Sequence, residues 1–192
     1  NAKILGPLEV VVEGERIEIP GGKQRKLLGI LLLHANEVVS ADRLIEGLWG
    51  ETPPASALKT LQALVSRLRG TLGSAGGALE SHGHGYRLRL ESGELDAGTF
   101  RDSLEDARRA RARGEPELAA EQLRQALALW RGPPLPEFRY ADFAQAEIAR
   151  LDELRLAAQE ERIEADLELG RHQPPVRAAT TAASPTRTLA SC

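Results

Sequence analysis

The chain has 192 residues, 42% of them hydrophobic, and no apolar run approaches the length of a membrane span, so the bulk numbers favour one or two globular domains. Its single cysteine, Cys192, excludes an internal disulfide framework and fits a reducing compartment. The net charge of −3 is unevenly spread: residues 1–90 carry 11 Lys and Arg against 9 Asp and Glu, and residues 91–172 carry 12 against 19, the pattern of a mildly basic module followed by an acidic one.

The chain opens at Asn1, contains no methionine and carries no signal peptide, which reads as a lost initiator or a fragment. Short β-rich runs fall at residues 4–5, 8–12 and 16–19, with Glu13-Gly14-Glu15 as a tight turn between the last two. Pro20-Gly21-Gly22 then ends the sheet. Residues 23–34 form a helix that is apolar almost all round from Leu27 to Leu33, hence buried. Its first turn carries Lys23, Arg25 and Lys26, where the macrodipole disfavours cations. Either these cations and the free N–H groups share a bound phosphate, or they are simply exposed at a cost of some tenths of a kcal/mol. Asn36 caps that helix, and residues 37–39 are a short extended link. Ser40 N-caps a second helix over 41–48, ended by Trp49-Gly50, and Pro54 suits the start of a third.

That third helix, residues 55–72, organises the rest. Leu58, Leu61, Val65, Leu68 and Leu72 recur at spacings of 3, 4, 3 and 4 and fall in one sector about 80° wide, the mark of a helix packed on a core. The opposite sector holds Lys59, Thr60, Ala63, Ser66 and Arg67, with Gln62 and Arg69 on the flank. Small residues at its centre and cations at its edges suit close approach to the major groove of DNA; the same face also fits an ordinary solvated surface. Two helices joined by a short turn make a helix-turn-helix. Residues 73–77 read as a flexible connection, and 79–81 and 86–90 as strands around His82-Gly83-His84-Gly85. A hairpin in this position is a wing suited to a minor groove. The two histidines supply only two ligands, so no metal site is expected.

In the second half, residues 99–113, 116–130 and 143–169 read as helices. Leu104, Ala107, Leu118, Ala119, Leu123, Ala126 and Leu127 give the alternation of small and large side chains of a tetratricopeptide-like hairpin, a scaffold for protein contacts. The aromatics of the loop over 131–140, Phe138 and Tyr140, are expected to plug the core. There is no Walker A loop, no GxGxxG, no nucleophile pair and no metal-ligand cluster, so neither an enzyme nor a cofactor is expected. Residues 173–192 are Pro, Ala, Thr and Ser with two charges, a composition expected to be disordered.

Taken together, Leu44-Ile45-Glu46-Gly47-Leu48-Trp49-Gly50, Val65-Ser66-Arg67-Leu68-Arg69 and Gly83-His84-Gly85-Tyr86-Arg87-Leu88 resemble the OmpR-type winged helix-turn-helix. Leu95-Asp96, Ala126-Leu127-Ala128-Leu129-Trp130-Arg131-Gly132, Arg150-Leu151-Asp152-Glu153-Leu154-Arg155 and the run from Glu164 to His172 resemble the bacterial transcriptional activation domain. In this order they resemble the SARP family, the antibiotic-regulatory activators of actinomycetes, from about Ile4 to His172. The resemblance implies an α+β winged helix over residues 1–92, an all-α tetratricopeptide-like domain over 95–172, shortened at its end, and the disordered tail over 173–192. It implies a cytoplasmic, nucleoid-associated activator of secondary-metabolite or related genes, with no membrane partner. Its partners would be double-stranded DNA in promoter repeats, the RNA polymerase holoenzyme and a second copy on DNA. Carried over position by position, the contacts are Lys59, Thr60, Gln62, Ala63, Ser66, Arg67 and Arg69 on the helix and His82 on the wing, beside the Lys23 and Arg25 of the first helix. Trp49 matches a position that can donate its indole N–H to a phosphate, or it belongs to the core. Leu64 and Ser66 stand where many members have larger polar or basic residues. The alternative is an interaction module whose winged helix contacts protein rather than DNA.

Overall fold

The computed structural model describes residues 1–170, and the tail over 173–192 lies outside the described residues. Strands β1 (Ala2–Lys3), β2 (Glu9–Val12) and β3 (Glu15–Ile17) form an antiparallel sheet in that order, with Val10 opposite both Ala2 and Ile17. Glu13 and Gly14 turn the chain between β2 and β3, both at positive φ, the geometry whose twist matches a two-residue hairpin. Ile4 and Leu5, expected as a strand, instead give their N–H groups to a side chain: the Asp96 carboxylate accepts them at 2.7 and 3.0 Å.

Helix α1 (Gly22–Leu33) is buried from Leu27 to Leu32, as its all-round apolar sequence requires. Strand β4 (Val39–Ser40) follows, then α2 (Ala41–Trp49), whose cap Ser40 accepts the Arg43 N–H at 3.2 Å. Helix α3 (Ala57–Leu72) packs on both α1 and α2. A 3-10 turn (Gly73–Ala78) leads to β5 (Leu79–His82) and β6 (Gly85–Leu88). The expected extended link therefore becomes the third strand of the wing sheet, in the order β4-β6-β5, with Ser40 opposite Gly85. Only glycine fits at 85, because a β-carbon there would stand 2.4 Å from the Val39 carbonyl oxygen. Asn36 also does more than end α1. Its side chain donates to the Leu90 carbonyl at 3.0 Å and accepts the Leu90 N–H at 2.8 Å, tying α1 to the segment after the wing.

The segment expected to be a flexible connection is tightly seated. Gly76 is buried, and a β-carbon there would lie 2.3 Å from the carbonyl oxygen of Arg69.

The second half is a stack of three helices, α4 (Asp96–Ala112), α5 (Pro116–Ala128) and α6 (Asp142–Glu168). Helix α5 packs against both neighbours. The alanines Ala107, Ala110, Ala119, Ala126 and Ala158 are fully buried, which lets the helices approach closely. Helix α4 begins three residues before the pattern suggested, because Asp96 is fixed by its bonds to Ile4 and Leu5. The rings of Phe100 and Trp130 stand edge to face, their centroids 5.3 Å apart and their planes at 89°.

The two modules share one continuous hydrophobic core. The Arg131 N–H donates to the Leu5 carbonyl at 2.7 Å, and the Leu135 N–H to that of Gly6 at 2.9 Å. Phe138 packs over α1 at Gly29, where a β-carbon would stand 2.7 Å from the ring. Phe138 thus plugs the core as expected; Tyr140, expected to do the same, is 86% exposed and carries Arg139 over its ring at 5.8 Å.

Candidate nucleic-acid interface

The burial of α3 divides it cleanly. Ala57, Leu61, Leu64, Val65, Leu68 and Leu72 face the core. Leu64 thus joins the buried sector, and Leu58, expected there, is 54% exposed. Ala57 of the same turn is buried, so the buried sector is turned towards Leu64 and leaves position 58 at its exposed edge. Lys59, Gln62, Ala63, Ser66 and Arg67 are exposed together on the opposite face, and the side chains of Lys59 and Arg67 make no ion pair among the described residues. Gly70 lies on this face too, with open space around the position of a β-carbon.

Two residues of the expected set on α3 are engaged inside the chain. Arg69 turns towards the wing, donating from Nε to the Leu79 carbonyl at 2.8 Å and from Nη2 to Ser81 Oγ at 3.0 Å. Its guanidinium bolts β5 to the end of α3. Thr60 gives its hydroxyl to the Ser56 carbonyl at 3.0 Å within the helix.

At the first turn of α1, Gln24 accepts the Thr71 hydroxyl at 3.4 Å, which sets this turn beside the end of α3. Lys23 is exposed, with its ammonium 4.6 Å from the centre of the half-buried Trp49 ring. The same ring also packs against the core. Arg25, expected as a phosphate contact, is engaged inside the chain. Its Nη2 lies 2.8 Å from Glu137 Oε1 and donates to the Leu8 carbonyl at 2.8 Å. Burial and the neighbouring Lys23 lower the pKa of Lys26 from the ordinary lysine value.

On the wing, His82 Nε2 lies 2.9 Å from Glu80 Oε2, which also accepts from Arg87 Nε and Nη2 at 3.1 and 2.6 Å. Hydrogen bonds from His82 and Arg87 hold the Glu80 carboxyl down to about 2. At the domain seam, burial pushes the Asp96 carboxyl above the usual range, against the backbone bonds and Arg131 that pull it down. Arg131 ties the seam further, with Nη1 2.8 Å from Glu9 and Nη2 3.6 Å from Asp96. The partners of Arg69, Arg25 and Asp96 are set by the fold and lie between 10 and 112 residues away in the chain, out of reach of local pattern. No helix among the described residues is long and apolar enough to cross a membrane.

Residues 14–88 match the family model described as the C-terminal domain of transcriptional regulatory proteins, and 95–187 match the bacterial transcriptional activator domain. The second match continues past His172, where the resemblance drawn from the residues stops. The regulatory protein DnrI of Streptomyces peucetius is 38% identical over 178 residues, covering 88% of this chain and 65% of its own length. The regulatory protein AfsR of Streptomyces coelicolor is 38% identical over 187 residues, 96% of this chain and 18% of its own. A structure of Mycobacterium tuberculosis EmbR, in complex with a low-affinity phosphopeptide, superposes with a TM-score of 0.85 at 34% identity, covering 89% of this chain and 46% of that one. This chain therefore spans less than two thirds of the length of these relatives.

Proposed function

We propose that this chain, which belongs to the SARP family of actinomycete transcriptional regulators, is a sequence-specific DNA-binding activator of secondary-metabolite or related genes. One observation carries the reading: the outer face of α3 presents Lys59, Gln62, Ala63, Ser66 and Arg67 together, with neither cation in an ion pair among the described residues. Small residues at the centre let the helix sink into a major groove, while its edges reach base edges and phosphates. His82 reaches the adjoining minor groove from the wing. Lys23 and the Trp49 indole contact a phosphate beside the end of α3, and Thr60 contacts one from its flank. Arg69 acts by holding the wing, and Arg25 by holding the seam.

In this reading the molecule works in the cytoplasm on nucleoid DNA. A second copy occupies the adjoining promoter repeat, and the helical half meets RNA polymerase holoenzyme. The deciding experiment is an electrophoretic shift series with promoter and random DNA at several salt concentrations. Affinity for both should fall steeply with salt, with promoter DNA held more tightly throughout. Binding indifferent to salt would refute the reading and favour protein contact.

A further inference from the structure

At the C-terminal end of α3, a cavity of about 330 Å3 opens between the N-terminal sheet and the winged-helix core. Val10 and Val12 of β2, Leu28 and Leu32 of α1, Leu72 at the end of α3 and Leu88 of β6 line it. All but Val12 are at most 6% exposed, so the space cuts into the core rather than lying on the surface. It exists because small side chains, Ala75 and Ala78, border it from the 3-10 turn where a leucine would fill the gap.

Its walls forfeit the dispersion contacts of a filled core. Water gains little there, since it needs two to four polar partners. Polar side chains in the lining are those of Asn1, Ser74 and Glu94; the Asn1 amino group already donates to the Val11 carbonyl at 2.8 Å, and one Glu94 oxygen accepts the Glu91 N–H at 2.8 Å. The volume lies within the range of small-molecule sites and is roughly twice that of an apolar cavity known to hold benzene.

We propose that this cavity binds a small, uncharged, aromatic molecule of about bicyclic size that offers one N–H or O–H to Ser74 or Glu94. The volume excludes a folded peptide segment, and the mostly apolar walls disfavour a charged ligand. The occupant touches both the last residue of the recognition helix and a strand of the wing, so filling the cavity resets the angle between them and with it DNA affinity. This coupling rests on the DNA-binding reading; the site itself does not.

Indole serves as the probe, added to the 15N-labelled full chain. Saturable shifts should gather at Leu28, Leu32, Leu72, Ala75 and Leu88. Val12→Phe and Ala78→Leu should each fill the space, keep or raise the melting temperature, and weaken indole binding at least tenfold. If one variant fails to fold, the other decides. The site is overturned by an absence of saturable shifts, or by undiminished binding in a folded, filled variant. For the coupling, saturating indole should change promoter affinity at least twofold in the parent chain and not in the filled variant. Unchanged affinity with indole bound overturns the coupling alone. A chain that binds no DNA at all overturns the DNA-binding reading and the coupling together, while the shifts still decide the site.

Discussion

Arg25 reaches across the molecule to Glu137: its guanidinium lies 2.8 Å from the carboxylate and also donates to the Leu8 carbonyl, while the same carboxylate oxygen accepts the Leu8 N–H at 3.1 Å. A first-turn cation on α1 is thereby spent on joining the N-terminal sheet, the central helix and the connection between α5 and α6. Arg25→Ala should lower stability by about 1–2 kcal/mol, since it removes charge-assisted hydrogen bonds at a partly buried site. It should leave the salt slope of DNA binding unchanged, whereas Lys23→Ala should reduce that slope by about 1. Thermal melts and salt titrations of the two variants separate these roles.

Arg67→Ala should cost about 1–3 kcal/mol on promoter DNA and much less on random DNA, if its exposed side chain reads a base edge. Equal losses on both would make it a phosphate contact. Arg69→Ala should instead weaken both DNAs alike, because it frees β5 from α3, and should increase hydrogen exchange at Leu79 and Ser81.

A methyl group at position 29 tests the shared core. Gly29→Ala should destabilise by about 1–3 kcal/mol, because its β-carbon would lie 2.7 Å from the Phe138 ring, and a buried ring has little room to move. Alanine's better helix propensity offsets only about 1 kcal/mol of that. Pairing it with Phe138→Leu should recover part of the loss, a coupling that a double-mutant cycle measures.

The seam also predicts the fate of the isolated N-terminal module. A fragment of residues 1–92 would uncover the α1 surface under Phe138 and leave the Ile4 and Leu5 N–H groups without Asp96. It should therefore melt broadly or not at all, and a sharp cooperative transition would disprove the dependence.

On the wing, the Glu80 carboxyl should stay ionised down to about 2. Its folded value lies below its ordinary one, so its contribution to wing order is present above about 4.5 and fades as pH falls towards 2. A 13C titration of the carboxyl reads this directly. Glu80→Gln should abolish that pH dependence of hydrogen exchange in β5 and β6.

Most of the architecture was legible because it rests on local pattern. Leu61, Val65, Leu68 and Leu72 return on the helical period, and Ser40 stands where a helix must be capped. The pattern left its own phase uncertain by one position: Leu58 and Leu64 both border the apolar sector, and only the extent of the core beneath α3 buries one and exposes the other. Side chains acting at a distance were opaque for the same reason. Nothing near Asp96, Arg25 or Arg69 in the chain announces the partners that the fold brings to them.

The outer face of α3 has an evolutionary consequence. The side chains of Lys59, Gln62, Ala63, Ser66 and Arg67 are exposed and make no hydrogen bond or ion pair among the described residues, whereas the residues on the opposite side of the same helix hold up the core. Substitutions among these five change what the helix touches at almost no cost to folding, since surface positions away from caps and networks usually shift stability by less than about 0.5 kcal/mol. If this face reads DNA as proposed, a lineage can re-address the regulator to new promoters one residue at a time, through intermediates that all still fold, while Arg69 keeps the wing in place.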